Sequence, residues 1–205
     1  IVHNCNMMNQ PRGAGYTEFN ENWLRSFEVE DTPQGKVLHR DDGKDVFLAQ
    51  LNLYPFVDPA MAEKPGESSQ NAIAMTGMDC DEHAYILEDW ASWCSPTDVI
   101  DKIMAMEKQY SPEAWYIESV AYQKALKYFL EYVCAQEALD IRVEPIKRDP
   151  TKSKTARIRG LEPMARGGRL WVRRELMNFR DQFANFPIAG KLNDVLDAVA
   201  NGPAN

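Results

Sequence analysis

A mixed α/β fold is predicted by the order in which two hydrophobic periods appear along the 205-residue chain. Between residues 46 and 90, three apolar runs with partial alternation are separated by turns, the pattern of an antiparallel meander. From residue 96 onward the period lengthens to that of helices. These helices alternate with short apolar runs, which implies parallel pairing through crossovers. The expected core is a five-stranded sheet, three antiparallel strands and then parallel ones, flanked by helices.

Each element follows from local chemistry. The run Val46-Phe47-Leu48-Ala49-Gln50-Leu51 begins a stretch to Val57 that reads as one or two strands, stopped by Asp58-Pro59-Ala60. After a loop, residues 71–78 and 83–90 read as two more strands around a turn. Ser95-Pro96-Thr97-Asp98 is a helix start: a capping hydroxyl, a proline at the first position and an acid on the positive end of the dipole. Val99, Ile100, Ile103, Met104 and Met106 form the apolar stripe up to Tyr110, and Ser111-Pro112 ends it. Residues 114–117 form a short buried strand ending at Glu118. A helix over 122–139, a strand over 141–146 and a helix over 151–164 follow. Gly167-Gly168 turns into a strand at 170–172, and helices close the chain over 174–184 and 192–200. Residues 1–40 read as an irregular connector or arm, with one or two helical turns at 20–27, packed on a domain spanning 41–205. The methionines, Tyr122, Phe129 and Tyr132 are expected in the core. For Trp171 both a DNA-facing hairpin and the core are open, and His83 is expected at the surface.

Composition sets further bounds. Apolar residues are 44% and charged residues 26%, ordinary for a soluble globular domain. No run of about 18 apolar residues occurs, so no membrane span is expected. The first residues lack a signal peptide's features and an initiator Met, so an excised fragment is expected. Cys5, Cys80, Cys94 and Cys134 are scattered without a CxxC pair, which argues against zinc and for reduced thiols. The net charge of −8 argues against non-specific DNA binding, but the charge is uneven. Residues 147–174 carry ten Lys and Arg against only Asp149 and Glu162. Lys147, Lys152, Lys154, Arg157 and Arg159 are the candidate phosphate contacts, with a solvated helix face as the plain alternative.

Three acids stand out by position. Asp58 ends the first long strand, Glu118 ends the strand Trp115-Tyr116-Ile117, and Asp194 opens the last helix, with Asp197 at i+3 on the same helical face. If the first and fourth strands are neighbours, Asp58 and Glu118 emerge side by side at the carboxyl edge, where α/β sheets place ligands. Clustered carboxylates repel one another unless a cation neutralises them. An oxygen-only donor set selects hard ions such as Mg²⁺ or Mn²⁺. Two such ions can clamp the attacking and leaving oxygens of an in-line phosphoryl displacement. Each acid alone is as readily a turn or helix-start residue; their joint placement is what singles them out.

These segments resemble the nuclease domain of phage terminase large subunits. The resemblance rests on Phe56-Val57-Asp58-Pro59-Ala60 followed by Asn71-Ala72-Ile73-Ala74-Met75, on Ile117-Glu118-Ser119, and on Asn193-Asp194-Val195-Leu196-Asp197-Ala198. It extends to the basic segment Lys152-Ser153-Lys154-Thr155-Ala156-Arg157-Ile158, and at the front to Met8-Asn9-Gln10-Pro11 and Phe19-Asn20-Glu21-Asn22-Trp23-Leu24. It implies an RNase H-like fold and a two-metal endonuclease, using Mg²⁺ or Mn²⁺, that cuts concatemeric viral DNA during genome packaging. Asp58, Glu118 and Asp194 would be catalytic metal ligands and Asp197 an accessory one. Implied partners are double-stranded DNA, the ATPase domain of the same protein (with residues 1–40 as the connector from it), the portal and the small terminase subunit. The implied location is the cytoplasm of an infected or lysogenic host cell. The sequence departs from the family pattern at Ser69-Gln70 and Asn193, where acids often stand, and it contains no GxxxxGK[ST] phosphate loop. A resolvase, transposase or ribonuclease of the same fold, or a non-catalytic packaging-motor module, are the alternatives.

Overall fold

A computed structural model describes residues 17–60, 69–118, 121–137, 140–146 and 151–202, the side chains of 121–127 and 131 excepted. Among these residues the strands are β1 (Arg25–Thr32), β2 (Gly35–Arg40), β3 (Asp45–Phe47), β4 (Asn52–Asp58), β5 (Asn71–Met78), β6 (Ala84–Ser92), β7 (Trp115–Glu118), β8 (Val143–Ile146) and β9 (Leu170–Arg173). The helices are α1 (Pro96–Tyr110), α2 (Ala121–Glu137), α3 (Lys154–Arg159), α4 (Glu162–Arg166), α5 (Met177–Asn185) and α6 (Asp194–Ala200). One sheet runs in the order β3-β2-β1-β9-β6-β5-β4-β7-β8. The expected meander β4-β5-β6 is antiparallel, and β7 joins β4, and β8 joins β7, in parallel.

The sheet is wider than the five strands expected. Residues 25–40 form the hairpin β1-β2 rather than an irregular arm. Asn20 caps a single 3-10 turn, Glu21–Trp23, and the chain then extends into β1. The apolar spacing of Trp23, Leu24 and Phe27 resembles a helical stripe, but β2 on one side and β9 on the other take up the strand's backbone groups, and this tertiary pairing overrides the local pattern. A 3-10 turn at Leu48–Gln50 separates β3 from β4. The single helix expected over 151–164 is two, because the chain tightens around Gly160 and restarts at α4 with Pro163, which has no amide hydrogen to continue a ladder.

Side-chain alternation divides the core into two layers. On one face Phe56, Ala72, Ala74, Ile86 and Val172 pack against Phe179, Phe183, Val195, Leu196 and Val199 of α5 and α6. On the other, Val57, Ile73, Met75, Leu87 and Trp171 pack against Val99, Ile100 and Ile103 of α1 and Leu130 of α2. β5 is buried on both faces, which explains its nearly unbroken apolar sequence. Its two alanines leave room for α6 to lie close to the sheet. The helix cap read at Ser95 is present: Ser95 Oγ accepts the amide of Asp98, and Asp98 Oδ2 accepts the amide of Ser95 at 2.9 Å.

Two expectations about the core change. Phe129 and Tyr132 are 51% and 57% exposed, because Leu130 and Cys134 form the inward stripe of α2 and leave those rings on the outer side. Met75, Met104, Met106 and Met164 are buried, but Met177 is exposed at the start of α5. Trp171 is a core residue, with the Arg40 guanidinium 3.8 Å from its ring centroid. No helix among the described residues is long and apolar enough to cross a membrane.

Candidate metal centre

Backbone register brings the first two acids side by side. β4 and β7 pair in parallel as Phe56 with Tyr116 and Val57 with Ile117. The next step of that register sets Asp58 beside Glu118, on strands ~4.8 Å apart. Side chains two apart on a strand share a face. Asp58 therefore lies on the face of Phe56, and Glu118 on that of Tyr116. Those two rings meet with centroids 5.4 Å apart, on the layer covered by α6.

Asp194 is the first residue of α6, on that same layer. Its Oδ2 accepts the amide of Gln70 at 3.1 Å. Gln70 stands two residues ahead of Ala72, and Ala72 is the register partner of Asp58. Asp58 and Glu118 thus end neighbouring strands on the face that α6 covers, and Asp194 opens that helix. Asp58 and Glu118 are partly exposed, while Asp194 is 3% exposed. The other oxygen of Asp194, Oδ1, accepts from Lys154 Nζ at 2.8 Å.

The start of α6 is held from outside the helix. Asn193 gives no side-chain cap. Instead the buried Gln182 of α5 turns its Oε1 to the first free amides, Val195 N at 2.9 Å and Leu196 N at 3.2 Å. This is a cap supplied in trans along the chain. One turn further on, Asp197 is 1% exposed and accepts from Arg157 of α3 with both oxygens, Nε to Oδ1 at 3.0 Å and Nη2 to Oδ2 at 2.9 Å.

The predicted basic residues separate accordingly. Arg157 is buried on Asp197 and is not on the surface where a phosphate would meet it. Arg159 is half exposed, but its guanidinium grips Glu18 with two contacts of 2.7 Å, which raise its pKa further. Lys154 reaches Asp194, and Lys152 is exposed, with its carbonyl accepting from Arg157 Nη1 at 3.2 Å. Lys147 lies outside the described residues. Gln182 was not singled out in the sequence, where a lone Gln inside an amphipathic helix carries no signal of a partner thirteen residues on.

A second acidic group was also missed. Asp79, Asp81 and His83 bring ligand atoms within 4.8 Å of one another at the turn between β5 and β6. That turn is at the opposite end of β5 from Ala72. Its contacts are those of a self-capped turn. Asp79 Oδ1 accepts the amides of Asp81 and His83, while Oδ2 accepts from Tyr85 and lies 2.9 Å from His83 Nδ1. His83 is only partly exposed and is engaged with Asp79, not free at the surface.

Known proteins resemble the chain in structure and not in sequence. No protein-family pattern and no curated protein matches it. Among solved structures, the large terminase nuclease from thermophilic phage G20c with bound cobalt superposes with a TM-score of 0.57 at 17% identity, over 94% of this chain and 99% of that one. The same nuclease with bound magnesium gives a TM-score of 0.52 at 14% identity, over 94% and 99%. The large terminase nuclease domain of Thermus phage P74-26 gives 0.51 at 16% identity, over 88% and 90%. At these identities the likeness concerns the backbone: the chain shares the mixed α/β fold of phage large terminase nuclease domains, over 88–94% of its length.

Proposed function

We propose that this chain is a metal-dependent DNA endonuclease, the nuclease part of a genome-packaging terminase. The observation that carries the reading is the parallel pairing of β4 and β7, the strands that end at Asp58 and Glu118, on the face covered by the helix that Asp194 opens. The donor set fits a hard divalent cation. It consists of carboxylate oxygens, and the most buried of the three acids already has an ammonium against one oxygen, as expected where negative charge gathers.

On this reading Asp58, Glu118 and Asp194 hold two Mg²⁺ or Mn²⁺ ions. Bound there, the ions would supply an activated water and charge stabilisation for phosphodiester hydrolysis. The chain's own residues supply the frame. Strands β4 and β7 fix the spacing of Asp58 and Glu118. Gln182 and the Arg157–Asp197 pair fix the start of α6, and with it the carboxylate of Asp194. Asp197 and Arg157 are therefore positioning residues here, rather than a ligand and a phosphate contact. Lys152, with Lys147, remains a candidate for phosphate contact. The residues ahead of β1 would connect to an ATPase domain, a narrower segment than 1–40 because Arg25–Arg40 belong to the sheet. The substrate would be concatemeric double-stranded DNA in an infected or lysogenic host cell, with the portal and small terminase subunit as partners.

The test is nicking of supercoiled plasmid in Mn²⁺. Cutting is expected at many sequences, falling steeply with salt because backbone contacts dominate. It should be lost in Asp58→Asn. Full-strength cutting by Asp58→Asn would overturn the assignment of the site. Preference for a four-way junction over linear duplex would favour a resolvase of the same fold instead.

A further inference from the structure

We infer that Lys154 is a resident counter-cation of the candidate metal centre, exchanged for metal on loading and thereby released to hold DNA phosphate. This deepens the nuclease reading and rests on it.

Three observations carry the inference. First, the Lys154 ammonium lies 2.8 Å from Asp194 Oδ1, an oxygen that the nuclease reading assigns to metal. An ammonium and a divalent ion on one carboxylate repel each other strongly in a poorly solvated site. Second, the pair is asymmetric. The Asp194 side chain is 5% exposed and that of Lys154 is 35% exposed, so the lysine approaches from the mouth and can withdraw into solvent without unfolding anything. Third, the arginines of the same short helix are committed elsewhere, Arg157 to Asp197 and Arg159 to Glu18. Ser153 Oγ accepts the amide of Ala156 at 3.2 Å and fixes the backbone from which Lys154 extends. The helix stays in place while the four-carbon stem of the lysine swings.

Charge gives the direction. Without metal, the Lys154 ammonium is held on the Asp194 carboxylate and is not offered to a phosphate. A divalent ion on that carboxylate repels the ammonium, which then becomes the group in excess. It then has a nearby use at the DNA backbone. Metal occupancy and DNA affinity are coupled through one side chain, so that the chain grips DNA better once it is able to cut.

The test uses the whole chain with Mn²⁺ for calorimetry and with Ca²⁺ for DNA binding without cleavage. In Lys154→Met and Lys154→Gln, Mn²⁺ is expected to bind about tenfold more tightly than in the wild type, because the competitor is gone. The salt slope of duplex binding is expected to fall by about 0.9 in both variants when Ca²⁺ is present, the loss of one phosphate contact. Without Ca²⁺ the slopes of variant and wild type should coincide. Unchanged or weaker Mn²⁺ binding in both variants overturns the exchange, as does an equal slope loss with and without Ca²⁺. Absence of Mn²⁺ binding to the wild type, or binding undiminished in Asp194→Asn, overturns the metal reading itself and the inference with it.

Discussion

Arg157 closes on Asp197 with two parallel hydrogen bonds, across forty residues of sequence and with both side chains buried. The pair ties α3 to the first turn of α6. Arg157 also donates to the carbonyl of Lys152, so the guanidinium is satisfied on two sides. Removing the guanidinium takes two charge-assisted hydrogen bonds from the buried Asp197 carboxylate. Arg157→Leu is expected to cost about 3–5 kcal/mol. The double variant Arg157→Leu/Asp197→Leu should recover much of that loss. Urea unfolding of the three chains checks it, and a double variant no better than Arg157→Leu would refute the pairing argument.

Gln182 does at the start of α6 what an N-cap residue ordinarily does. Gln182→Leu strands two buried amides and should destabilise the chain by about 1–3 kcal/mol. It should also raise the Mn²⁺ concentration for half-maximal plasmid nicking, because Asp194 directly precedes the two amides. The rate at saturating Mn²⁺ should change less. Gln182→Glu, which keeps an acceptor oxygen, should restore most of the stability.

Asp89 gives a pH dependence whose sign can be worked out. It is 7% exposed on β6, and its Oδ2 accepts the amide of Phe179 at 2.8 Å. Burial is the main cause that pushes its pKa up to about 6, from an ordinary 3.8. The folded chain therefore keeps this proton at pH values where the unfolded chain has lost it. Stability contributed by the site falls as pH rises from about 4 to about 6 and is level above that. Asp89→Asn should remove this fall and leave the chain more stable than the wild type at pH 7. Urea midpoints across pH 4 to 8 check the sign; a wild-type profile parallel to that of Asp89→Asn would contradict it.

Gly202 follows α6 where the chain passes close to β4. A Cβ there would fall 2.5 Å from Phe56 Cε2. Phe56 packs on Tyr116 and lies two residues from Asp58, so the ring has little freedom to yield. Gly202→Ala is expected to cost about 1–3 kcal/mol, read as a lowered thermal midpoint. Gly190→Ala offers a contrast: nothing lies near its Cβ, and any cost there would come from its φ of +78°.

Elements governed by local chemistry were legible in the sequence. The cap at Ser95, the stripe of α1 and the strand ends at Asp58 and Glu118 depend on residues a few positions apart, and they stand where spacing put them. The hairpin β1-β2 was not legible. Its few apolar residues, Phe27, Val29, Val37 and Leu38, are diluted by charges, and the strand that pairs with its inner edge is β9. The partners of the basic segment were hidden for a related reason. Arg157 looks like a solvent-facing cation until Asp197 is brought to it, and Lys154 looks like a phosphate contact until Asp194 is. In both cases the deciding neighbour is forty residues away, and no periodicity encodes it.

The place of β9 has a consequence for how the molecule is assembled. It is the strand that joins the β1-β2-β3 meander to the rest of the sheet, with Trp171 set between Arg25 and Tyr85. The first strands of the chain can curl on one another early, but they have nowhere to dock until residue 170 has emerged. Closing so long a loop is slow. A ribosome-bound chain halted after β8 would carry an orphaned N-terminal hairpin with the inner edge of β1 open to any other extended segment.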